Sequence, residues 1–151
     1  MVIGIGNGLG HDDAAGLVIA RGLRASGHEA ELTVHEHECE TLGLLDIWQG
    51  ADAVVLVDAI RSGAPPGTLH RFDATCAPIP ARLRSSSSTH AFGVGEAIEL
   101  ARALGRLPRR VVLLGIEGRR FAAGSGLSDE VEAMTAELLE AVLTEARQLA
   151  G

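Results

Sequence analysis

The chain has 151 residues, of which 46% are hydrophobic and 22% are charged, and its formal net charge is -7. This length is typical of one domain, which buries roughly 70% of the surface that its unfolded chain exposes, so we expect a single domain over residues 1–151. The acidic balance and the scattered basic residues exclude a nucleic-acid-binding protein, and two cysteines, Cys39 and Cys76, are too few for a disulfide framework or a structural zinc site.

The sequence does not predict a membrane protein. Met1 leads directly into the first predicted strand without a charged-then-apolar leader. No apolar run approaches the ~20 residues that a membrane-spanning helix requires. We therefore expect a cytoplasmic protein without membrane or nucleic-acid partners.

Predicted strands and helices alternate along the chain. Strands are expected at residues 2–5, 30–36, 54–59, 67–72 and 111–117, and helices at about 14–25, 41–49, 90–104 and from Ser128 onwards. The third strand, VVLVDA, is apolar enough to be covered on both faces, and the fifth, VVLLGIE, is expected to be central. This alternation predicts an α/β fold, a three-layer α/β/α sandwich whose ligand sites lie beyond the carboxyl ends of a mostly parallel sheet.

Acidic residues stand where the first and third predicted strands end. The segment GIGNGLGHDDAAG (4–16) places Asp12 and Asp13 at the start of the first helix, and Asp58 lies at the end of the third strand. Because we expect these strands to be neighbours, Asp13 and Asp58 can converge on one crevice. Together with His90, they form a mixed oxygen and nitrogen donor set that suits zinc or nickel and leaves a coordination position open.

Structural explanations remain open for these residues. Asp12 is suited to cap the first helix and Asp13 to lie in its first turn, where each stabilises the helix by about 1 kcal/mol or less. Asp58 is harder to explain in this way, because an acid that ends an apolar strand must be hydrated, paired or bound. His90, at the start of a predicted helix, is also consistent with a surface residue.

The glycine-rich first turn does not predict a nucleotide site. Glycines fall at every second position of GIGNGLG (4–10), and no register gives the G-x-G-x-x-G pattern. Asp12 and Asp13 would also lie where a pyrophosphate should meet the positive end of the helix. The glycines instead fit a tight turn and close packing of strand against helix.

Several segments together resemble the hydrogenase maturation endopeptidases. In chain order they are GIGNGLGHDDAAG (4–16), VVLVDAIRSGAPPGTLH (54–70), THAFG (89–93), VVLLGIE (111–117) and GLSDEVEAM (126–134). The resemblance implies an enzyme that removes a C-terminal extension from the large-subunit precursor of a nickel–iron hydrogenase after nickel has been inserted. It also implies a five-stranded twisted sheet with one antiparallel strand, here GTLHRF (67–72), and it places the catalytic and metal-contacting positions on Asp13, Asp58 and His90.

The resulting hypothesis is metal-assisted peptide hydrolysis. Asp13, Asp58 and His90 would hold nickel that the immature substrate carries, and zinc or cadmium could occupy the site in vitro. Either carboxylate could serve as general base. Asp12 and His11 could tune the pocket, or be a helix cap and a surface residue.

Two non-enzymatic alternatives remain. One is a metal-binding or nucleotide-binding module of this fold, and the other is a chaperone-like interaction domain for a metalloenzyme. The polar face of the amphipathic last helix favours a monomer.

The residues after the second strand depart from the family pattern. The segment HEHECETLG (35–43) stands in place of an Asp-Gly-Gly-Thr type of segment and adds His35, His37 and Cys39 near the edge of the site. The two histidines share one strand face, so a further metal contact stays open beside a solvated, charged strand end. Cys39 paired with a histidine is an alternative nucleophile, although the family pattern does not use it. Glu117, at the end of the fifth strand, either supports the site or forms a structural ion pair.

Overall fold

The structure, a computed structural model, describes residues 1–38, 41–81 and 93–151. Its strands are β1 Val2–Gly6, β2 Val34–Glu38, β3 Ala53–Ile60, β4 Leu69–Asp73 and β5 Arg110–Glu117. Its helices are α1 Ala15–Ala25, α2 Leu44–Ile47, α3 Val94–Ala103, α4 Asp129–Glu132 and α5 Thr135–Ala150. Short 3-10 helices are formed by His11–Ala14, His28–Ala30 and Thr41–Gly43.

The five strands form one sheet in the order β2-β1-β3-β5-β4. All neighbouring pairs are parallel except β4 and β5, which are antiparallel. The predicted five-stranded, mostly parallel sheet and its antiparallel strand are therefore confirmed, as is the adjacency of the first and third strands. The central strand is β3, whereas β5 lies between β3 and the edge strand β4. The carboxyl ends of β1, β2, β3 and β5 consequently meet at one edge of the sheet.

The core lies on both faces of this sheet, which makes the fold a three-layer sandwich. Helices α1 and α5 pack on one face, where they meet Val55 and Val57 of β3. Helices α2 and α3 pack on the other, against Val54 and Leu56. Because successive strand residues point to opposite faces, Asp58 lies on the face that α2 and α3 cover.

Some predicted boundaries differ from those observed. The second strand begins only at Val34. Gly27 follows α1 with a left-handed φ of 79°, and the chain then forms the 3-10 helix His28–Ala30 before the strand starts. The predicted last helix is divided into α4 and α5. The start of the predicted helix 90–104, with His90, lies outside the described residues. Among the residues described, no helix is both long and apolar enough to cross a lipid bilayer.

Candidate active site

Asp12 is completely buried. Its hydrogen bonds connect the 3-10 helix His11–Ala14, in the turn after β1, to a segment that lies more than 100 residues later. Its Oδ2 accepts hydrogen bonds from the backbone N–H groups of Arg119 (2.7 Å) and Arg120 (2.8 Å). Oδ1 accepts one from the N–H of Ser128 (2.7 Å), whose hydroxyl donates to Oδ2 (2.8 Å). Burial by itself raises the pKa of Asp12, but these hydrogen bonds outweigh it and lower the pKa below its ordinary value. Asp12 is thus a structural carboxylate.

Asp12 is not a helix cap, so that prediction is wrong, whereas Ser128 does occupy the N-cap position of α4, where the last predicted helix was expected to start. The turn His11–Ala14 and helix α4 have no side-chain cap bond at their N-termini. The Asp12 carboxylate and the Ser128 hydroxyl bond each other instead, because tertiary packing brings the two turns together. Local sequence patterns carry no information about such a contact.

Asp13 is buried beside Asp12 and belongs to the same short helix. Its N–H donates to the carbonyl of Gly10 (3.1 Å), and its carbonyl accepts from the N–H of Asn7 (3.1 Å). Its side chain folds back over Gly10: a Cβ added there would lie 2.8 Å from Asp13 Cβ and 3.3 Å from Oδ2. The Asp13 side chain therefore fits in this position only because residue 10 is glycine, which agrees with the close packing predicted for the glycines.

Asp58 is the buried acid of the central strand. Burial raises its pKa well above the ordinary value, and the negative charge of Asp13 raises it further, while a hydrogen bond from the Ala59 N–H partly opposes both. The fold thus brings Asp13 and Asp58 within electrostatic range at the carboxyl ends of β1 and β3. A pair of close carboxylates with a raised pKa is chemically suited to a cation or to proton transfer.

His90, the third predicted member, lies outside the described residues, so its place in the site remains a prediction. Helix α3, which begins four residues later, packs on the same face of the sheet as Asp58. Over residues 1–38, 41–81 and 93–151, no three His, Cys, Asp or Glu side chains converge to hold a metal ion.

A comparison with known families identifies the chain's relatives. The family model described as HycI, hydrogenase maturation protease, matches residues 20–145. The chain belongs to the hydrogenase maturation protease family. The matched part includes Asp58 and the position of His90, whereas Asp13 precedes it.

The similarity between this chain and individual members of the family extends over different lengths. The hydrogenase 2 maturation protease of Escherichia coli K12 is 27% identical over 150 residues, which are 98% of this chain and 90% of that protein. HupD, a hydrogenase expression/formation protein of Thiocapsa roseopersicina, is 29% identical over 119 residues, 78% of this chain but 53% of that protein. The chain thus spans about half the length of this second relative.

Solved structures of maturation proteases share the fold. The hydrogenase maturating endopeptidase HybD from E. coli has a TM-score of 0.76 at 28% identity, covering 97% of this chain and 91% of its own. The [NiFe] hydrogenase maturation protease HybD from Thermococcus kodakarensis has a TM-score of 0.66 at 27% identity and covers 95% of each chain.

In this family member, Glu117 fixes the loop that follows the strand of Asp58. Its Oε1 accepts hydrogen bonds from the N–H groups of Ser62 (2.8 Å) and Gly63 (2.9 Å). Its Oε2 accepts one from the Ser62 hydroxyl (2.8 Å) and lies 3.1 Å from Nε2 of His70. These contacts give the buried Glu117 a structural role. The sequence did not identify Ser62 or His70 as partners of Glu117, because Ser62 lies in the loop after β3 and His70 in the antiparallel strand β4.

The histidines of β2 lie on the strand next to β1, and within the described residues they belong to no group of three or more potential metal ligands. His35 is paired with Ile3 and His37 with Ile5, and both side chains are half-buried. A Cβ added to Gly43 would lie 2.9 Å from Cε1 of His37, so the imidazole packs against the turn that leads into α2. The structure assembles no metal-ligating group around them within the part of the chain that it describes. Cys39 lies outside that part.

An exposed leucine, which no sequence pattern indicated, lies on the turn that follows β1. Leu9 is 71% exposed, yet its backbone is tightly held. Its N–H donates to Oδ1 of Asn7 (2.9 Å), and its carbonyl accepts from the N–H of Gly124 (2.9 Å). A large apolar side chain on a fixed turn four residues from Asp13 is suited to contact another protein.

Proposed function

We propose that this protein is an endopeptidase that removes a C-terminal extension from the nickel-loaded precursor of a nickel–iron hydrogenase large subunit. The observation that carries the proposal is the buried Asp58 carboxyl, held close to Asp13 at the carboxyl ends of neighbouring strands in a maturation protease fold. A protease whose name specifies maturation of hydrogenase 2 is similar over nearly the whole chain. The acidic surface is consistent with action in the cytoplasm, and the burial of Leu138 and Val142 of α5 within the chain's own core is consistent with a monomer.

The donor set fits the metal that such a precursor carries. Asp13 and Asp58 supply carboxylate oxygens, and their mutual repulsion is relieved when a cation lies between them. His90 would supply an imidazole nitrogen, which completes three protein ligands and leaves room for the substrate. Nickel held by these residues would polarise the scissile carbonyl or a water molecule.

The residues of the chain have separate tasks in this mechanism. Asp13 and Asp58 would orient the metal-bearing end of the substrate, and the second oxygen of either carboxylate could accept the proton of the attacking water. Asp12 keeps the turn with Asp13 in place through its four hydrogen bonds. Without the precursor's nickel the ligand set lacks its cation, so we expect no cleavage of nickel-free precursor or of unrelated peptides.

The experiment that tests this function measures the mass of an unprocessed, nickel-loaded large subunit before and after incubation with the protein. We expect loss of a C-terminal peptide from the loaded precursor and no change in a nickel-free sample. His90→Ala should abolish the loss, whereas the matched variant His28→Ala should retain it, because His28 follows α1 at the opposite end of the sheet from the carboxyl ends of the strands. Tight precursor binding without any change of mass would instead favour the chaperone-like alternative.

A second prediction concerns the exposed Leu9. Leu9→Ser should raise KM for the precursor about tenfold and leave kcat within about twofold, because a fixed apolar contact contributes to binding without touching the reacting atoms. Steady-state kinetics with the nickel-loaded precursor measures both constants.

Leu104→Ser is the control for this prediction. Leu104 is 56% exposed but follows α3, at the opposite end of the sheet from the carboxyl ends of the strands. Equal KM values for wild type and Leu9→Ser, or equal effects of the two substitutions, would show that Leu9 does not contact the precursor.

A further inference from the structure

We propose that His11 and Gly124 position the Asp13 carboxylate, an inference that rests on the proposed function. In this proposal His11 does not contact the reacting atoms, so it is a positioning residue. Gly124 supplies the surface against which His11 is held.

The backbone of His11 is the first observation. Its φ of 51° is left-handed, and it is the sole residue other than glycine with a positive φ in the described ranges 1–38, 41–81 and 93–151. Histidine adopts this conformation only when surrounding contacts hold it there. The strained residue directly precedes Asp12 and Asp13.

The imidazole of His11 provides those contacts. Its Nδ1 lies 3.0 Å from the carbonyl oxygen of Gly126. Because a carbonyl can only accept, Nδ1 carries the hydrogen and donates it. The ring also lies directly over Gly124, where an added Cβ would come within 2.1 Å of Nε2 and 2.7 Å of Cε1. Only glycine therefore allows the ring to take this place.

Backbone hydrogen bonds connect the same two segments. The N–H of His11 donates to the carbonyl of Gly124 (3.1 Å), and the N–H of Gly124 donates to the carbonyl of Leu9 (2.9 Å). Gly10 and Gly124 form an isolated parallel β-bridge. The first turn is consequently held from outside by a segment that follows β5.

The contact between the turn after β1 and Gly124 affects the position of Asp13 through Gly10. The Asp13 side chain lies over Gly10, which is itself the bridge partner of Gly124. A displacement of the turn away from Gly124 would therefore displace the carboxylate. Misplacement of a catalytic group by about 1 Å can reduce a rate by about 100-fold.

The His11 side chain contributes little as core packing, because it is only half-buried. Its loss should therefore affect geometry more than stability. His11→Asn is the conservative variant: the Nδ2 of asparagine occupies the place of Nδ1, and asparagine tolerates a left-handed backbone. His11→Ala loses both properties, and His11→Gly keeps the backbone but loses the hydrogen bond.

Kinetics with the nickel-loaded precursor gives the first test. We expect His11→Ala and Gly124→Ala to lower kcat by about 10- to 100-fold with KM within about twofold of wild type. His11→Asn should stay within about twofold of wild type in both constants. A His11→Asn variant as impaired as His11→Ala, or a fall in kcat that only follows the loss of folded protein seen by circular dichroism, would overturn the proposal.

A second measurement does not depend on activity. The carboxylate carbon resonance of Asp13 in isotope-labelled, metal-free protein should shift in His11→Ala and Gly124→Ala and should stay at the wild-type position in His11→Asn. An unchanged resonance in His11→Ala would overturn the proposal, even if the precursor proved not to be the substrate. Failure of wild type to cleave the precursor, with the resonances behaving as expected, would refute the proposed function alone.

Discussion

Asp58→Asn should abolish processing and at the same time make the metal-free protein more stable at neutral pH. Asp58 is buried next to the charge of Asp13, so its ionised form is unfavourable in the folded state. Asparagine has nearly the same shape but carries no charge and is a poor ligand for a divalent ion. We expect processing of the nickel-loaded precursor to fall by roughly 10³-fold or more. The two measurements are the processing rate and urea-induced unfolding.

The stability difference should depend on pH. Because the folded-state pKa of Asp58 is raised, the folded protein holds this proton more tightly than the unfolded chain does. The protonated Asp58 therefore contributes to the stability of the folded protein. This contribution is fully present below about pH 4, the unfolded-state pKa, and is lost as the pH rises through the folded-state pKa. The advantage of Asp58→Asn over wild type should therefore grow as the pH rises from about 4 through the folded-state pKa of Asp58.

Asp52→Asn is the matched control, because Asp52 is exposed just before the same strand begins. It should leave both processing and unfolding unchanged. A normal processing rate in Asp58→Asn would exclude Asp58 from the chemistry. A loss of stability at neutral pH would show that the ionised carboxylate has a stabilising partner.

The second large effect is expected at Asp12, and it concerns folding. Asp12→Ala removes the acceptor of three backbone N–H groups and one hydroxyl. Each N–H left buried without a partner costs about 1–3 kcal/mol, so we expect a loss of about 3–5 kcal/mol in the free energy of unfolding. Domains of this kind are stable by only about 5–15 kcal/mol, so this loss removes a large share of the stability. Urea denaturation followed by circular dichroism measures the loss.

The pH dependence at Asp12 has the opposite sign to that at Asp58. The pKa of Asp12 is lowered, so its stabilisation is present above the unfolded-state pKa and is lost as the pH falls through the folded-state pKa. The gap between wild type and Asp12→Ala should therefore close in acid. Asp129→Ala, at an exposed acid in the first turn of α4, should change stability by less than about 0.5 kcal/mol. A similarly small effect of Asp12→Ala would show that its hydrogen bonds are readily replaced by water.

The difference between these two acids shows what the sequence can predict. The apolar run VVLVDA makes β3 recognisable, and the alternation of strands and helices places its end beside that of β1. Those two facts suffice to bring Asp13 and Asp58 to the same edge of the sheet. They use only the periodicity of the chain and general rules of parallel sheets.

The role of Asp12 could not be predicted in the same way. An acid before a helix fits a cap locally, and Ser128 fits one equally well. Their actual bond joins positions 116 residues apart. The same limit applies to Glu117, whose partners Ser62 and His70 lie 55 and 47 residues earlier in the chain. Such contacts are decided by packing of the whole domain, which single-sequence patterns do not contain.

The bonds of Asp12 also set an order of events during synthesis. On the ribosome, the turn after β1 emerges early, whereas Arg119, Arg120 and Ser128 follow more than 100 residues later. Until they emerge, the Asp12 carboxylate stays hydrated and lacks the donors that fix the turn carrying Asp13. Contacts between such distant positions also slow folding, since a long loop must close before they form. We therefore expect the turn that carries Asp12 and Asp13 to become ordered late and abruptly, when residues 119–128 pack against it.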